Sequence, residues 1–225
     1  MITAWRNGWR QGNFPFFYVQ LPGFLARRAQ PAESRWAELR EAQTLALGLP
    51  KTGMAVTIDT SEEHNIHPAD KQDVGHRLAL IAKNQVYGKS AVAFFGPVFA
   101  GMQIEDGKAI LSFTHEEGGG LAARDGPPLT GFAIAGADRK FAWADAEIRG
   151  DKVIVHSKDV PSPVAVRYAW ADTPAGSLIN KAHLPASPFR TDNWVAGEVS
   201  ASPAPSASPT KSHHRRHAAA AEPVN

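Results

Sequence analysis

The spacing of apolar residues changes near residue 86, and this change constrains the fold more than any other feature of the sequence. Before it, short apolar runs alternate with segments whose apolar residues recur every three or four positions, which is typical of strands alternating with helices. After it, short apolar runs follow one another, separated by Gly, Pro and Asp, as in an all-β fold. We therefore expect two regions with different architectures.

Residues 1–85 follow the strand and helix order of a parallel α/β sheet. Strands are predicted at Phe16–Leu21 and Met54–Asp59, and helices at Ser34–Leu47 and Pro68–Ala82. Each predicted helix begins at a residue that favours a helix start, because Ser is a good N-cap and Pro suits the first turn. Two strands are too few to bury such a sheet on both faces, so the partner strands are expected outside these residues.

Residues 86–198 are predicted to form a β-sandwich. An Asp106-Gly107 pair and a Gly150-Asp151 pair each lie between two apolar runs, and such pairs are strong signals for hairpin turns. Several short strands joined by turns are typical of a sandwich. The predicted strands are Val98–Ile104, Lys108–Thr114, Phe141–Arg149, Lys152–Ser157 and Val164–Trp170.

Residues 199–225 are predicted to be a disordered, low-complexity tail, because they lack aromatic residues, Leu and Ile. This tail holds three basic residues and one acidic residue, so the 24 Lys and Arg and 22 Asp and Glu of the chain leave 21 of each elsewhere. A neutral body argues against nucleic acid as the main partner, since phosphate binding needs a basic surface. The His and Arg residues of this tail are interpreted as a solvated basic segment.

The composition also excludes several kinds of site. There is no cysteine, which rules out disulfides, thiolate metal sites and a Cys nucleophile. No apolar run approaches the length of a membrane span, so no transmembrane helix is expected. No signal peptide is visible in the first residues. His64 and His67 have a spacing that could share a metal, but no further ligands accompany them, so no metal site is predicted.

The segment from Ile58 to Pro68 is the best candidate for chemistry. It lies between a predicted strand and a predicted helix, where open α/β sheets bind their ligands. A neutral imidazole at His67 could act as a general base there, oriented by Asp59 or by the amide of Asn65. The alternative is that His67 only caps the helix predicted to begin at Pro68.

A resemblance to the sialate O-acetylesterase family, which belongs to the SGNH-like serine esterases, favours the catalytic interpretation. The similarity runs in consistent order from about residue 1 to 195. The residues that carry it are Trp5-Arg6, Pro15-Phe16, Val19-Gln20-Leu21, Trp36 to Gln43, Thr52 to Val56, Asp59, Ile66-His67-Pro68, Lys71, Val74-Gly75, Arg77-Leu78-Ala79, Gly131-Phe132, Ile134-Ala135-Gly136, Val166 to Trp170 and Pro188-Phe189-Arg190-Thr191-Asp192.

The resemblance implies a serine esterase in which an SGNH-type α/β domain carries β-sandwich additions. It implies that His67, in the Ile-His-Pro segment, is the general base. The family commonly has an acid two positions before this His, where this chain has Asn65, and this leaves Asp59 as the fallback orienting acid. The Ser nucleophile of the family stands in a Gly-Gln-Ser-Asn motif upstream of the Trp-Arg segment, and no Ser of this chain has that context.

The expected function is therefore removal of O-acetyl groups from sialic acid or a related sugar, with no metal or organic cofactor. The chain is expected to be the C-terminal portion of such an esterase, inactive alone, with the nucleophile on a preceding segment or on a separately encoded N-terminal half. The resemblance implies a periplasmic or secreted protein. The alternative is a non-catalytic carbohydrate-binding or structural β-sandwich module.

Two further sets of residues have open assignments. Gln20, at the end of a predicted strand, could bind substrate or could be a sheet-edge side chain. Trp143, Tyr168 and Trp170 could stack on sugars, although aromatic residues of a sandwich more often fill its interior.

Overall fold

The computed structural model describes residues 1–115 and 119–195, and the tail predicted at 199–225 lies outside them. The first 85 residues form three helices and two strands, and the later part is built of strands. The helices are α1 (Ile2–Trp9), α2 (Arg35–Leu45) and α3 (Lys71–Gln85), with 3₁₀ turns at Ala46–Gly48 and Ile58–Thr60. Among the described residues, no helix combines the length and the apolar character needed to cross a bilayer.

The strands of the first region, β1 (Phe16–Val19) and β2 (Thr52–Ala55), pair in parallel, with Phe16 opposite Thr52. Helix α2 begins where the sequence predicts, because the Ser34 hydroxyl accepts a hydrogen bond from the Ala37 N–H at 3.1 Å. Helix α3 packs on both strands through its apolar face, where Ile81 is fully buried. The described part of this sheet is thus a two-stranded parallel pair.

Two boundaries differ from the prediction. The second strand ends at Ala55, and Ile58–Thr60 forms a 3₁₀ turn instead of extending the strand to Asp59. The helix predicted from Pro68 begins at Lys71, because the Asp70 carboxylate accepts from the Asp73 N–H at 3.0 Å and is the N-cap. The interpretation of His67 as the cap of this helix is therefore wrong.

The second region forms two four-stranded antiparallel sheets and a smaller two-stranded one. The predicted Asp106-Gly107 hairpin is present, with Asp106 and Gly107 both at positive φ. One four-stranded sheet has the order β3-β4-β9-β8 and the other β12-β10-β6-β7, while β5 pairs with β11. The strands are β3 (Val98–Glu105), β4 (Lys108–Thr114), β5 (Leu121–Ala123), β6 (Phe132–Ala135), β7 (Phe141–Trp143), β8 (Asp145–Arg149), β9 (Lys152–His156), β10 (Ala165–Tyr168), β11 (Leu178–Asn180) and β12 (Phe189–Arg190).

The single strand predicted at Phe141–Arg149 is divided at Ala144. Its first part, β7, pairs with β6 in one sheet, and its second part, β8, pairs with β9 in the other. At the division, the Ala144 N–H donates to the Phe132 carbonyl at 3.1 Å. The chain therefore passes from one four-stranded sheet to the other within a few residues, which ties the two sheets together.

One hydrophobic core extends across the two regions. Side chains of both four-stranded sheets, such as Leu111 and Ile134, cluster with Met54, Val56 and Ile58 from the segment around β2. Within this core, the Tyr168 hydroxyl accepts from the Leu178 N–H at 2.9 Å, and burial raises the pKa of this phenol. The mixture of helices with several antiparallel sheets is as predicted, and the boundary predicted between residues 85 and 86 stays a prediction.

Candidate active site

The candidate site lies where β1 and β2 end. Because the two strands are parallel, their carboxyl ends are at the same edge of the sheet, and the loops that follow them meet there. The Gly23 N–H donates to the Ser61 hydroxyl at 2.6 Å, and the Leu25 N–H donates to the Glu63 carbonyl at 3.0 Å. We call residues 20–33 the first loop and residues 56–70 the second loop.

Their contact depends on a glycine. A Cβ atom built on Gly23 would lie 2.5 Å from the Ser61 hydroxyl oxygen, which is too close for any other residue without a local shift. An ion pair of 3.4 Å between Arg27 and Glu63 adds to the contact at the surface. The two loops therefore form one continuous rim at this edge.

His67 is on this rim and is exposed to solvent. The backbone around it is held by side chains of its own loop. The Asn65 side-chain oxygen accepts from the His67 N–H at 2.9 Å, and the Glu62 carboxylate accepts from the Ala69 N–H at 2.7 Å. These two bonds hold the backbone on both sides of Pro68 and present His67 on an ordered turn.

Asp59 is engaged by an arginine of α3. The Arg77 guanidinium donates to both carboxylate oxygens of Asp59 at 2.6 Å, and to the Val56 carbonyl at 2.7 Å. Both side chains of the pair are nearly buried, with 6% of Arg77 and 10% of Asp59 exposed. Such a bidentate pair is strong and geometrically specific. It anchors the beginning of the second loop to α3.

Asp59 and Asn65 were predicted to orient the imidazole, and in the described part of the chain neither of them forms a hydrogen bond to the ring. Asp59 is paired with Arg77, and Asn65 bonds to the His67 backbone N–H instead of to its ring. The roles assigned to His67, Asp59 and Asn65 from the sequence stay predictions. What the structure brings together is an exposed imidazole on an ordered turn and a buried arginine that holds the start of the same loop.

Gln20, the predicted substrate-binding residue, is fully buried at the end of β1. Its side-chain N–H groups lie within 3.3 Å of the Arg40 carbonyl, the Thr44 hydroxyl and the Ser187 hydroxyl. Its side-chain oxygen is buried without a partner among the described residues. Substrate binding by Gln20 stays a prediction, and in this arrangement the amide joins α2 to the segment before β12.

Arg40 and Arg77 are the residues of the site region whose roles sequence reasoning missed. Arg40 is fully buried, and its guanidinium donates to four backbone carbonyls at 2.7–2.8 Å: Leu21, Pro22, Ala171 and Asp172. Burial lowers its pKa to about 10, so it is still charged at pH 7. It holds the start of the first loop against the segment after β10. Both arginines were among the residues that carry the family resemblance, and this was the available signal.

Within residues 1–115 and 119–195, no three His, Asp or Glu side chains lie together as metal ligands would.

Replacing Arg77 by Met is expected to lower the free energy of unfolding by about 3–5 kcal/mol, because the Asp59 carboxylate would remain buried without its partner. Urea unfolding followed by circular dichroism measures the change. His76→Ala is the matched control, since His76 is the exposed neighbour on the same helix, and it should change stability by less than about 0.5 kcal/mol. Equal effects of the two substitutions would contradict the importance of the Asp59–Arg77 pair.

Comparison with known proteins gives a consistent result. The mouse sialate O-acetylesterase is 28% identical over 216 residues, which cover 84% of this chain and 39% of that protein. The human sialate O-acetylesterase is 28% identical over 196 residues, which cover 77% of this chain and 36% of that protein. No protein-family model matches the chain.

A solved structure extends the similarity to the fold. The crystal structure of a carbohydrate acetylesterase from Xanthomonas citri is 47% identical and superposes with a TM-score of 0.80, covering 86% of this chain and 45% of that protein. The resemblance to sialate O-acetylesterases inferred from individual residues is confirmed. The chain spans about two fifths of the length of the relatives that it matches.

Proposed function

We propose that this chain, which is similar to sialate O-acetylesterases over most of its length, supplies the general base and the β scaffold of a carbohydrate O-acetylesterase. The reaction is hydrolysis of acetyl esters on sialic acid or a related sugar. The observation that carries the proposal is the position of His67: an exposed imidazole on an ordered turn at the carboxyl edge of a parallel strand pair. The α/β region is assigned to an SGNH-type sheet on the same grounds.

The reaction requires a nucleophile that is supplied from outside these 225 residues. A serine hydroxyl would attack the acetyl carbonyl and give first a tetrahedral oxyanion and then an acetyl-enzyme, while the alcohol of the sugar leaves. His67 would take the serine proton, give it to the leaving sugar oxygen, and later take a proton from the attacking water. No Ser of the chain is in a Gly-Gln-Ser-Asn context, which supports the external source.

The contacts around His67 are consistent with a general base in this chain and a nucleophile from outside it. Arg77 and Asp59 fix the start of the second loop, and Asn65 fixes the backbone of His67, so the imidazole is positioned without a bond to its own ring. The ring nitrogens are thus left for the hydroxyl of an incoming serine, while oxyanion donors would contact the substrate. A β-sandwich that acts only as a binding or structural module would not require His67.

Activity of the chain, alone and completed, tests the proposal. The chain alone should release no acetate above background from an unactivated O-acetyl sugar, since a missing oxyanion donor by itself costs about 10²–10³ in rate. Adding the part of the matched Xanthomonas citri enzyme that this chain does not cover should restore release. Turnover by the chain alone that a serine-directed phosphonate blocks would contradict an external nucleophile. No turnover in the completed protein would contradict the esterase assignment.

A further inference from the structure

A pocket distant along the chain from His67 lies beside β7, the last strand of its sheet among the described residues. It encloses about 220 Å³ and is lined by Phe141, Trp143, Trp170, Arg139, Arg167 and Glu33, among others. Pockets for drug-sized ligands enclose about 300–1,000 Å³, so this one fits a single sugar ring. A smaller cavity of about 60 Å³ shares Glu33, Trp143 and Trp170 with it and extends it along the first loop.

Trp143 is the exposed tryptophan in the lining of this pocket, so a ligand could contact its ring. Of the three aromatic residues noted in the sequence, Tyr168 and Trp170 are buried, whereas Trp143 is 43% exposed. Its indole N–H donates to the Ala29 carbonyl at 2.8 Å, which fixes the ring while leaving much of its surface open. A rigid exposed indole is apolar surface already placed for stacking, at little further cost in side-chain entropy.

The buried cation of the pocket, Arg167, is already paired with carboxylates of the protein, which favours a neutral ligand. The Arg167 guanidinium, stacked 4.2 Å above the Phe141 ring, donates to both oxygens of Asp192 and to one oxygen of Glu33. The side chain of Asp192 is fully buried, so the charge of Arg167 is matched by two carboxylates of the protein itself. The second oxygen of Glu33 accepts no hydrogen bond from the described residues, and this oxygen remains as an acceptor for a hydroxyl group.

The pocket is joined to the candidate active site by the first loop. Leu25 of this loop bonds to Glu63 on the second loop, and Ala29 bonds to Trp143. Four residues of extended chain span at most about 14 Å, so the two contact points are close. An oligosaccharide lying along the first loop could contact both the pocket and the rim that carries His67.

We infer that this pocket is a subsite for a neutral pyranose unit of the carbohydrate, with the sugar ring on Trp143 and its hydroxyl groups hydrogen-bonded to Glu33. The inference rests on the proposed function only for the class of ligand. Its readout is binding, which is independent of ester hydrolysis.

The test uses the chain with ¹⁵N-labelled indole groups and two neutral probes, cellohexaose and maltohexaose, with N-acetylneuraminic acid as the acidic probe. At least one neutral probe should shift the Trp143 indole resonance in a saturable way, and more tightly than the acidic probe. Trp143→Ala should weaken binding, followed by calorimetry, at least tenfold. Trp5→Ala, which removes another exposed indole on α1, should leave it unchanged.

Trp143→Phe keeps a smaller aromatic ring and loses the bond to Ala29, so it should bind more tightly than Trp143→Ala and less tightly than the unaltered chain. Thermal unfolding verifies that each variant is folded. The inference is overturned if neither neutral probe shifts the indole, if the acidic probe binds more tightly, or if Trp143→Ala binds as the unaltered chain does. If the neutral probe binds but the completed protein has no esterase activity, the subsite is supported and only the proposed function is contradicted.

Discussion

In the completed esterase, His67→Ala is expected to lower kcat on an O-acetyl sugar by about 10²–10⁴-fold, the range typical of a lost general base. The reason is that no other described imidazole of the second loop has the same backbone support: Asn65 bonds to the His67 N–H, and the turn is anchored by the Asp59–Arg77 pair. KM should change little, because the imidazole acts on the proton and not on the sugar.

His64→Ala is the matched control for this measurement. His64 is exposed, on the same loop and three positions before His67, so a nonspecific effect of removing an imidazole would appear in both variants. We expect its kcat within about twofold of the unaltered protein. If the two variants lose activity equally, or if neither does, His67 is not the general base.

Replacing Arg40 by Met is expected to unfold the chain or to lower its free energy of unfolding by at least about 4 kcal/mol. Its guanidinium satisfies four backbone carbonyls, and each buried polar group left without a partner costs about 1–3 kcal/mol. Against the total stability of a typical domain, about 5–15 kcal/mol, this loss is large.

Arg35→Met on the same helix is the control, since Arg35 is exposed and its loss should change stability by less than about 0.5 kcal/mol. Chemical unfolding followed by both circular dichroism and tryptophan fluorescence measures the difference. A loss below about 1 kcal/mol for Arg40→Met would mean that water or a shifted backbone satisfies the four carbonyls.

Features that depend on local chemistry were predictable from the sequence. Ser34 caps α2, and Asp106-Gly107 turns the hairpin, because in each case the deciding bond lies within a few residues. The predicted start of α3 was wrong by three residues, because Asp70 competes with Pro68 as the start signal and caps the helix through the Asp73 N–H.

The candidate site was only partly predictable, because several of its contacts join residues that are far apart in the sequence. The position of His67 followed from a strand-to-helix loop and from the family resemblance. The engagement of Asp59 by Arg77, 18 residues away, has no local pattern. Nothing in α2 itself distinguishes Arg40 from Arg35, because two of the four carbonyls that bind Arg40 belong to residues 171 and 172.

The long reach of these contacts has a consequence for the order in which the chain acquires its structure during synthesis. Glu41 on α2 pairs with Arg190, which is 149 positions later, and at about 5–20 residues per second the ribosome needs about 7–30 s to make that stretch. Arg40 on the same helix also waits, because two of its four acceptors belong to residues 171 and 172. The contacts that hold α2 in place can therefore form only after most of these residues have been synthesised.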